Sequence, residues 1–228
     1  MIRVISLGGS IVAPDSVDSE FLRRFRDVVL DYVSQQGQRL ILVVGGGAPA
    51  RAYQQAYRQV LPDAGDDEAD WIGIAATKLN AALLRGVFHQ VCPDPVVSDP
   101  TAPIDFEGSV LVASGWKPGF STDYDAVLLA ERFGAESVIN LSNIERVYTA
   151  DPRSDPEATP IDAISWKDFT SLVGDIWSPG INLPFDPVAT KKAAEMGLKV
   201  IVAKGTNIEN LQQILRDGAF LGTQIGPD

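Results

Sequence analysis

Three glycine-bearing turns hold the residues of this sequence that are best suited to chemistry. They are Gly8-Gly9-Ser10, Gly45-Gly46-Gly47 and Ser114-Gly115, and each follows a short run rich in apolar and β-branched residues. Glycine lets backbone amides approach a ligand closely, and a helix that starts directly afterwards directs its positive end at an anion. Because the carboxyl ends of parallel strands line one crevice, we expect the three turns to converge on a site for phosphate groups.

Phosphoryl transfer is compatible with the few reactive side chains available. The nucleophile of a transfer between phosphates is already an ionised oxygen, so positioning and charge neutralisation do most of the work. Arg51 lies one turn into the helix expected after the triple glycine, and Asp123 and Asp186 each stand at an expected helix start. For each Asp the alternative is a simple N-cap. If they are not only N-caps, the two Asp side chains suit the organisation of Mg²⁺, and Arg51 suits the binding of phosphates.

Two known nucleotide-binding motifs, the P-loop and the dinucleotide fingerprint, also contain glycine-rich turns. The ordinary P-loop pattern, G-x-x-x-x-G-K-S/T, is absent from the sequence. Residues 45–50 do match G-x-G-x-x-A, the dinucleotide fingerprint. However, they follow the second expected strand, and no acidic residue ends the next strand about twenty residues on. Dinucleotide binding therefore stays open as an alternative.

The composition narrows the classes of function. The chain has 228 residues, 45% of them hydrophobic, a formal net charge of −11, one cysteine and one histidine. A single cysteine excludes a disulfide framework, and the single histidine, His89, leaves a Ser-His-Asp site dependent on one side chain. The negative charge repels nucleic acid backbones and anionic lipid, although local amides can still bind phosphate. We therefore expect a cytoplasmic protein that binds small molecules, but neither nucleic acid nor membrane.

Strand patterns alternate with helical patterns along the chain. Strands are expected at 3–7, 39–44, 95–98, 109–114, 137–141 and 199–203. A helix is expected at 19–33, and a second at 70–88 is apolar nearly all round, as a central or subunit-interface helix would be. Residues 64–68 and 148–162 are expected to form surface loops or hairpins. The pattern predicts an α/β fold, a mostly parallel sheet sandwiched between helices, in one domain spanning 1–228.

A series of motifs runs in order through nearly the whole chain. They are L-G-G-S at 7–10, V-V-G-G-G at 43–47 with Arg51 four residues on, D-W-I-G-I-A-A-T-K-L-N at 70–80, P-G-F-S-T-D at 118–123, N-I-E-R-V-Y-T-A-D-P at 143–152, and Asp186-Pro187 followed by Lys191. In this order they resemble the archaeal-type uridylate (UMP) kinases of the amino acid kinase superfamily. The motifs at 70–80 and 147–152 are the most specific.

The resemblance implies an activity, a fold and a set of site residues. The fold would be the amino acid kinase (carbamate kinase-like) fold, assembled as a homohexamer, and the reaction would transfer a phosphoryl group from ATP, with Mg²⁺, to UMP. The acceptor would contact Gly45, Gly46, Arg51, Asp70, Gly73, Thr77 and Thr122. ATP would contact Gly8, Gly9, Ser10, Asn143, Tyr148 and Asp151. Asp123 and Asp186 would organise the reaction centre, and Lys191 would neutralise the donor phosphates; no separate metal-ligand set is assigned.

Several positions depart from the family pattern and leave alternatives open. Ser6 and Ala48 stand where the family usually has a lysine that stabilises the transferring group, and Lys117 is a candidate replacement. Trp116 replaces a threonine of the acceptor pocket, so its indole either stacks on the acceptor or fills its place. Residues 175–185, expected to cover the ATP phosphates, lack the usual glycine- and serine-rich pattern. The alternatives are a nucleotide-binding sensor, store or scaffold with weak or no transfer, and a kinase of another small phosphate or carboxylate.

Overall fold

A mixed sheet forms the centre of the protein. The computed structural model describes residues 1–63, 65–152, 155–173 and 184–227. Within these residues the strands are β1 (Ile2–Leu7), β2 (Arg39–Val44), β3 (Val110–Ala113), β4 (Ser137–Ser142), β5 (Val147–Tyr148), β6 (Pro160–Ile161), β7 (Ala163–Ser165), β8 (Lys199–Lys204) and β9 (Thr223–Gly226). Seven of them form one sheet in the order β3-β2-β1-β4-β8-β9-β7. Only β8 and β9 pair antiparallel in it, so the expected mostly parallel sheet is confirmed.

Helices cover both faces of this sheet. They are α1 (Gly9–Val12), α2 (Ser19–Val33), α3 (Gly47–Val60), α4 (Asp66–Val87), α5 (Thr122–Phe133), α6 (Trp166–Val173), α7 (Pro187–Glu195) and α8 (Ile208–Leu215). Successive residues of a strand face opposite sides, so the sheet separates two apolar cores. Leu40 and Leu42 of β2 face a core shared with α2 and α8, whereas Ile41 and Val43 face a core shared with α5, α6 and α7. Among the described residues, no helix has both the length and the apolar character needed to cross a bilayer.

Most of the expected elements are present, and α2 has the bounds that its apolar pattern predicts. The expected strand at 95–98 is wrong. Val97 makes only an isolated parallel bridge with Ala113, beside the short edge strand β3. This segment is too short and too rich in proline to continue the ladder, because Pro93 and Pro95 have no backbone N–H to donate.

Helix α4 corrects a second expectation. It begins at Asp66, so the acidic residues of the expected loop at 64–68 form its first turn, where negative side chains complement the positive end of the helix. Its apolar surface is also divided: Ile74 and Leu84 are buried, whereas Trp71 and Leu79 are 45% and 67% exposed. The expected hairpin at 148–162 is present in its described part, where β5 pairs with β6.

The first two glycine turns press directly against each other. A Cβ added to Gly9 would lie 2.1 Å from the backbone nitrogen of Gly47 and 2.5 Å from the carbonyl carbon of Gly45. Gly47 itself has a φ of +68°, a conformation that L side chains rarely adopt. The close approach of the turns that follow β1 and β2 therefore requires residues without side chains.

Gly9→Ala should destabilise the fold, because the added methyl group has only backbone to displace. We expect the free energy of unfolding to fall by about 3 kcal/mol. Urea denaturation measures this, with Gly86→Ala as the control. Gly86 lies in α4, where an added Cβ meets nothing within 4 Å, so its alanine variant should gain up to about 1 kcal/mol. Equal stability of Gly9→Ala and the parent would contradict this packing.

Candidate active site

A cleft of about 400 Å³ lies between the glycine turn after β2, the first half of α4 and the segment that leads into α5. Its lining includes six of the seven residues expected to contact an acceptor and one of the two expected reaction-centre carboxylates. The lining residues are Gly45, Gly46, Ala50, Gln54, Asp70, Gly73, Ile74, Thr77, Gly115, Lys117, Gly119, Phe120, Ser121, Thr122, Asp186 and Val188.

The acceptor residues in this cleft are the two glycines of the second turn, three residues of α4 and the first residue of α5. They are Gly45, Gly46, Asp70, Gly73, Thr77 and Thr122. Of the seven, six therefore line the cleft and only Arg51 does not.

Asn80 of α4 holds the second glycine turn in place. Its side-chain amide donates to the carbonyl oxygens of Gly45 and Gly46, at 2.8 and 3.2 Å, and the side chain is buried. These two hydrogen bonds tie the turn after β2 to α4. Sequence reasoning assigned no role to Asn80, although it ends the specific motif at 70–80.

Thr77 fixes the third glycine turn rather than facing the cleft freely. Its hydroxyl donates to the carbonyl oxygen of Ile74 at 2.7 Å and accepts from the backbone N–H of Gly115 at 2.8 Å. On the same helix, Asp70 accepts from the backbone N–H of Gly119 at 3.0 Å. The turn that follows β3 is therefore tied to α4 at two points, and the three glycine turns meet around this helix as the sequence predicts.

Asp123 receives hydrogen bonds from two neighbouring strands. The Ser6 hydroxyl donates to its Oδ1 at 2.7 Å and the Asn140 side-chain amide at 3.3 Å. Ser6 and Asn140 are register partners in β1 and β4. Asp123 is not the N-cap of α5, because Ser121 takes that position and accepts from the backbone N–H of Tyr124. Its carboxylate is thus directed at the strand ends.

Asp186 lies beside Asp123 and combines two roles. It is the N-cap of α7, where its side chain accepts from the backbone N–H of Ala189 at 2.8 Å, and it also lines the cleft. Its own backbone N–H bonds to the carboxylate of Asp123. Burial raises the pKa of Asp123 to about 6, against the Ser6 hydrogen bond, and the neighbouring charge of Asp186 raises it further. The pair therefore favours a cation.

The carboxylate pair fits magnesium delivered with a nucleotide. Mg²⁺ in kinase sites is usually held by one or two carboxylates together with substrate phosphates and water. Asp123 and Asp186 supply such a pair, and the described residues contain no group of three or more His, Cys, Asp or Glu side chains arranged to hold a metal on their own. The donor set therefore agrees with a phosphate-bound ion.

The residues expected to contact ATP lie outside the cleft, and four of the six follow the ends of β1 and β4. Gly8 donates its backbone N–H to the carbonyl oxygen of Leu141 at 2.8 Å, which joins the first turn to the end of β4. The other expected donor residues are Gly9 and Ser10 in α1, exposed Asn143 after β4, Tyr148 in β5 and Asp151 after it. Of residues 175–185, only 184 and 185 fall within the described part of the chain.

Two expected cations do not line the cleft. Arg51 is exposed on α3, where its guanidinium donates to the carbonyl oxygen of Pro14 at 3.3 Å. Lys191 is exposed on α7, five residues after Asp186.

The indole of Trp116 neither lines the cleft nor fills it. It packs against Phe120, with ring centroids 5.2 Å apart, and Phe120 stacks on Tyr124 at 4.9 Å. The ammonium of Lys117 lies 3.8 Å from the centroid of the Trp116 ring. In this structure Lys117, and not the indole, is among the residues that line the cleft, and both alternatives for Trp116 stay predictions.

A buried carboxyl lies beneath this turn. Asp125 is fully buried in α5, where its Oδ2 accepts from the backbone N–H of Trp116 at 3.1 Å. Its Oδ1 has no hydrogen-bond partner among the residues that the structure describes. Burial raises the pKa of Asp125 to about 7, against the Trp116 hydrogen bond, and the charges of Asp123 and Asp99 add to the increase. The protonated form is therefore favoured in the folded state.

Asp125→Asn should stabilise the protein most at neutral and alkaline pH. The folded-state pKa of about 7 lies above the ordinary value of about 4, so the parent loses stability as the pH rises through this window. The amide does not titrate, so the difference in Tm should grow between about pH 4 and 7 and then level off. Differential scanning calorimetry measures it, with the exposed Asp63→Asn as a control for charge. A difference that stays constant with pH would contradict the assignment.

Comparisons with known proteins agree with this geometry. A sequence model of the "Amino acid kinase family" matches residues 1–204. The chain is 35% identical to the uridylate kinase of Methanocorpusculum labreanum, over 98% of this chain and 94% of that protein. It is 36% identical to the uridylate kinase of Methanospirillum hungatei, over 97% and 93%. The crystal structure of uridylate kinase from Archaeoglobus fulgidus matches with a TM-score of 0.85 and 35% identity, over 99% of this chain and all of that one. The chain belongs to the amino acid kinase family.

Proposed function

We propose that this protein is a UMP kinase that transfers the γ-phosphoryl group of ATP to UMP, giving ADP and UDP. The observation that carries the proposal is the cleft between the glycine turns with the Asp123–Asp186 pair at its end. Relatives named uridylate kinase that match nearly the full chain support the choice of acceptor.

The acceptor site is proposed to be the cleft. Gly45 and Gly46 line the cleft without side chains and leave room for the acceptor phosphate beside the positive end of α3, which begins at Gly47. Asp70 keeps one carboxylate oxygen for a ribose hydroxyl, since Gly119 bonds to the other. Arg51 is proposed to turn from Pro14 to the acceptor, because its present hydrogen bond is long and exposed. The remaining acceptor residues are Gly73, Thr77 and Thr122.

The donor site is proposed to lie on the other side of Asp123, at the ends of β1 and β4. The turn formed by Gly8, Gly9 and Ser10 would hold the phosphates through the backbone amides of Gly9 and Ser10, since that of Gly8 donates to Leu141. Asn143, Tyr148 and Asp151 would contact the base and ribose, and Lys191 would neutralise the phosphates. The support for this arrangement is that the first glycine turn and Asn143 follow β1 and β4, the two strands whose side chains bond to Asp123.

The protein's contribution to the reaction is proposed to be positioning and electrostatics. Magnesium bound with the nucleotide would neutralise phosphate charge. Ser6, Asn140 and the backbone of Asp186 hold the Asp123 carboxylate in a fixed direction, so it can orient that charge without rearranging. The acceptor oxygen is already ionised near neutral pH, because the second pKa of a phosphate monoester is about 6. No side chain is needed as a general base.

The assembly is proposed to be a homo-oligomer, with a hexamer as the expected state, of single-domain subunits spanning 1–228 in the cytoplasm. Its support is the apolar surface that α3 and α4 expose, where Tyr53, Trp71 and Leu79 are 71%, 45% and 67% exposed. Patches of this kind often mark subunit contacts.

The purified protein should phosphorylate UMP selectively when ATP and magnesium are supplied with UMP, CMP, dUMP, AMP or GMP in turn. Coupled detection of ADP measures the rate, and nucleotide binding to the same sample is followed by calorimetry. An Asp123→Asn variant is the control, and it should lose turnover while keeping its fold. Binding of ATP without transfer to any of the five acceptors would contradict the proposal and favour a sensor, store or scaffold. Transfer to a different phosphate or carboxylate alone would contradict the choice of UMP.

A further inference from the structure

The cleft contains little positive charge for a site that must bind phosphates. Its charged lining residues are Asp70, Asp186 and Lys117. Among the described residues that line it, Lys117 is therefore the sole cation. Phosphoryl transfer depends on neutralising negative charge at the reacting phosphates.

Aromatic rings hold the ammonium of Lys117 at the side of the cleft. Its Nζ lies 3.8 Å from the centroid of the Trp116 ring and 5.1 Å from that of Phe120. Tyr124 extends this stack behind Phe120. A cation–π contact at a partly exposed site is weaker than a charge-assisted hydrogen bond to phosphate, so the ammonium can leave the rings for a bound nucleotide.

The backbone around Lys117 is fixed on both sides. Before it, Gly115 donates to Thr77 and Trp116 donates to buried Asp125, at 2.8 and 3.1 Å. After it, Gly119 donates to Asp70 at 3.0 Å. The ammonium is thus carried by a flexible side chain on a tethered turn, which limits where it can reach.

We propose that Lys117 is a catalytic residue that neutralises the phosphoryl group during transfer, and that Trp116 and Phe120 are positioning residues that hold its ammonium beside the cleft. This inference rests on the proposed kinase function and deepens it. The other two cations assigned to the site, Arg51 and Lys191, are exposed and do not line the cleft.

The role requires no proton transfer. An oxygen of the acceptor phosphate forms a bond to the γ-phosphorus of ATP, while the bond from that phosphorus to the β,γ-bridging oxygen breaks and its electron pair leaves with ADP. Lys117 keeps its proton and offsets the charge that develops on the phosphoryl oxygens and the leaving group.

The test compares Lys117→Met and Lys117→Arg with the parent in steady-state transfer from ATP to UMP. We expect Lys117→Met to lower kcat by about a hundredfold with a much smaller change in the KM for UMP, because the cation acts mainly in the transition state. Lys117→Arg should recover part of the rate. Lys78→Met is the matched control, because it removes a lysine exposed on α4 outside the cleft and should leave kcat unchanged.

A second pair of variants tests the positioning role. Trp116→Phe keeps an aromatic ring beneath the ammonium and Trp116→Leu removes it, so kcat should fall more in the leucine variant than in the phenylalanine variant. Thermal unfolding of each variant separates this effect from loss of the fold.

The possible failures can be told apart. If the parent transfers phosphate to UMP and folded Lys117→Met does so at a similar rate, the role of Lys117 is overturned while the kinase function stands. If the parent transfers phosphate to no acceptor, the kinase function fails and this inference fails with it.

Discussion

The carboxylate of Asp123 is the point at which the site is joined to the fold. A partly buried carboxylate must be hydrogen-bonded, and its donors come from β1, β4 and the start of α7. Ser6 and Asn140 can both reach it because they are register partners on neighbouring parallel strands. The register of the central sheet therefore determines the geometry of the reaction centre. The close packing of Gly9 against the turn at Gly45–Gly47 likewise fixes the position of the glycine turns beside the reaction centre.

The charge of the protein and the charge of the site act over different distances. The net charge of −11 acts over long range and disfavours polyanions. At short range, two glycine turns and Lys117 line the cleft. The Asp123–Asp186 pair is compatible with phosphate binding only if a cation accompanies the nucleotide. An acidic protein can thus bind phosphates where local groups outweigh its overall field.

Sequence patterns predicted the parts of the fold that depend on local periodicity. Helix α2 and strand β2 have the expected bounds. The glycine turns were predicted from their positions after strands, and the Asp pair from its positions at expected helix starts and from the family resemblance. The predictions of a strand at 95–98 and of a loop at 64–68 were wrong, because strand pairing and helix capping decide these two structures. The roles of Ser6, Asn80 and Asn140 depend on contacts between distant residues, and the direction of Trp116 depends on the turn that carries it. Their spacing in the sequence carries no signal for these contacts.

The pKa of Asp123 tests most directly whether this carboxylate organises the charge of the reaction centre. It can be followed by NMR of the carboxyl carbon in the free protein and with magnesium and ADP bound. We expect a pKa of about 6 for Asp123 in the free protein, raised by burial and by the charge of Asp186. We also expect this pKa to decrease clearly when magnesium and ADP bind, because the bound cation favours the ionised form. A pKa near the ordinary value for aspartate, or one that does not change with magnesium and nucleotide, would show that Asp123 does not organise the charge of the reaction centre.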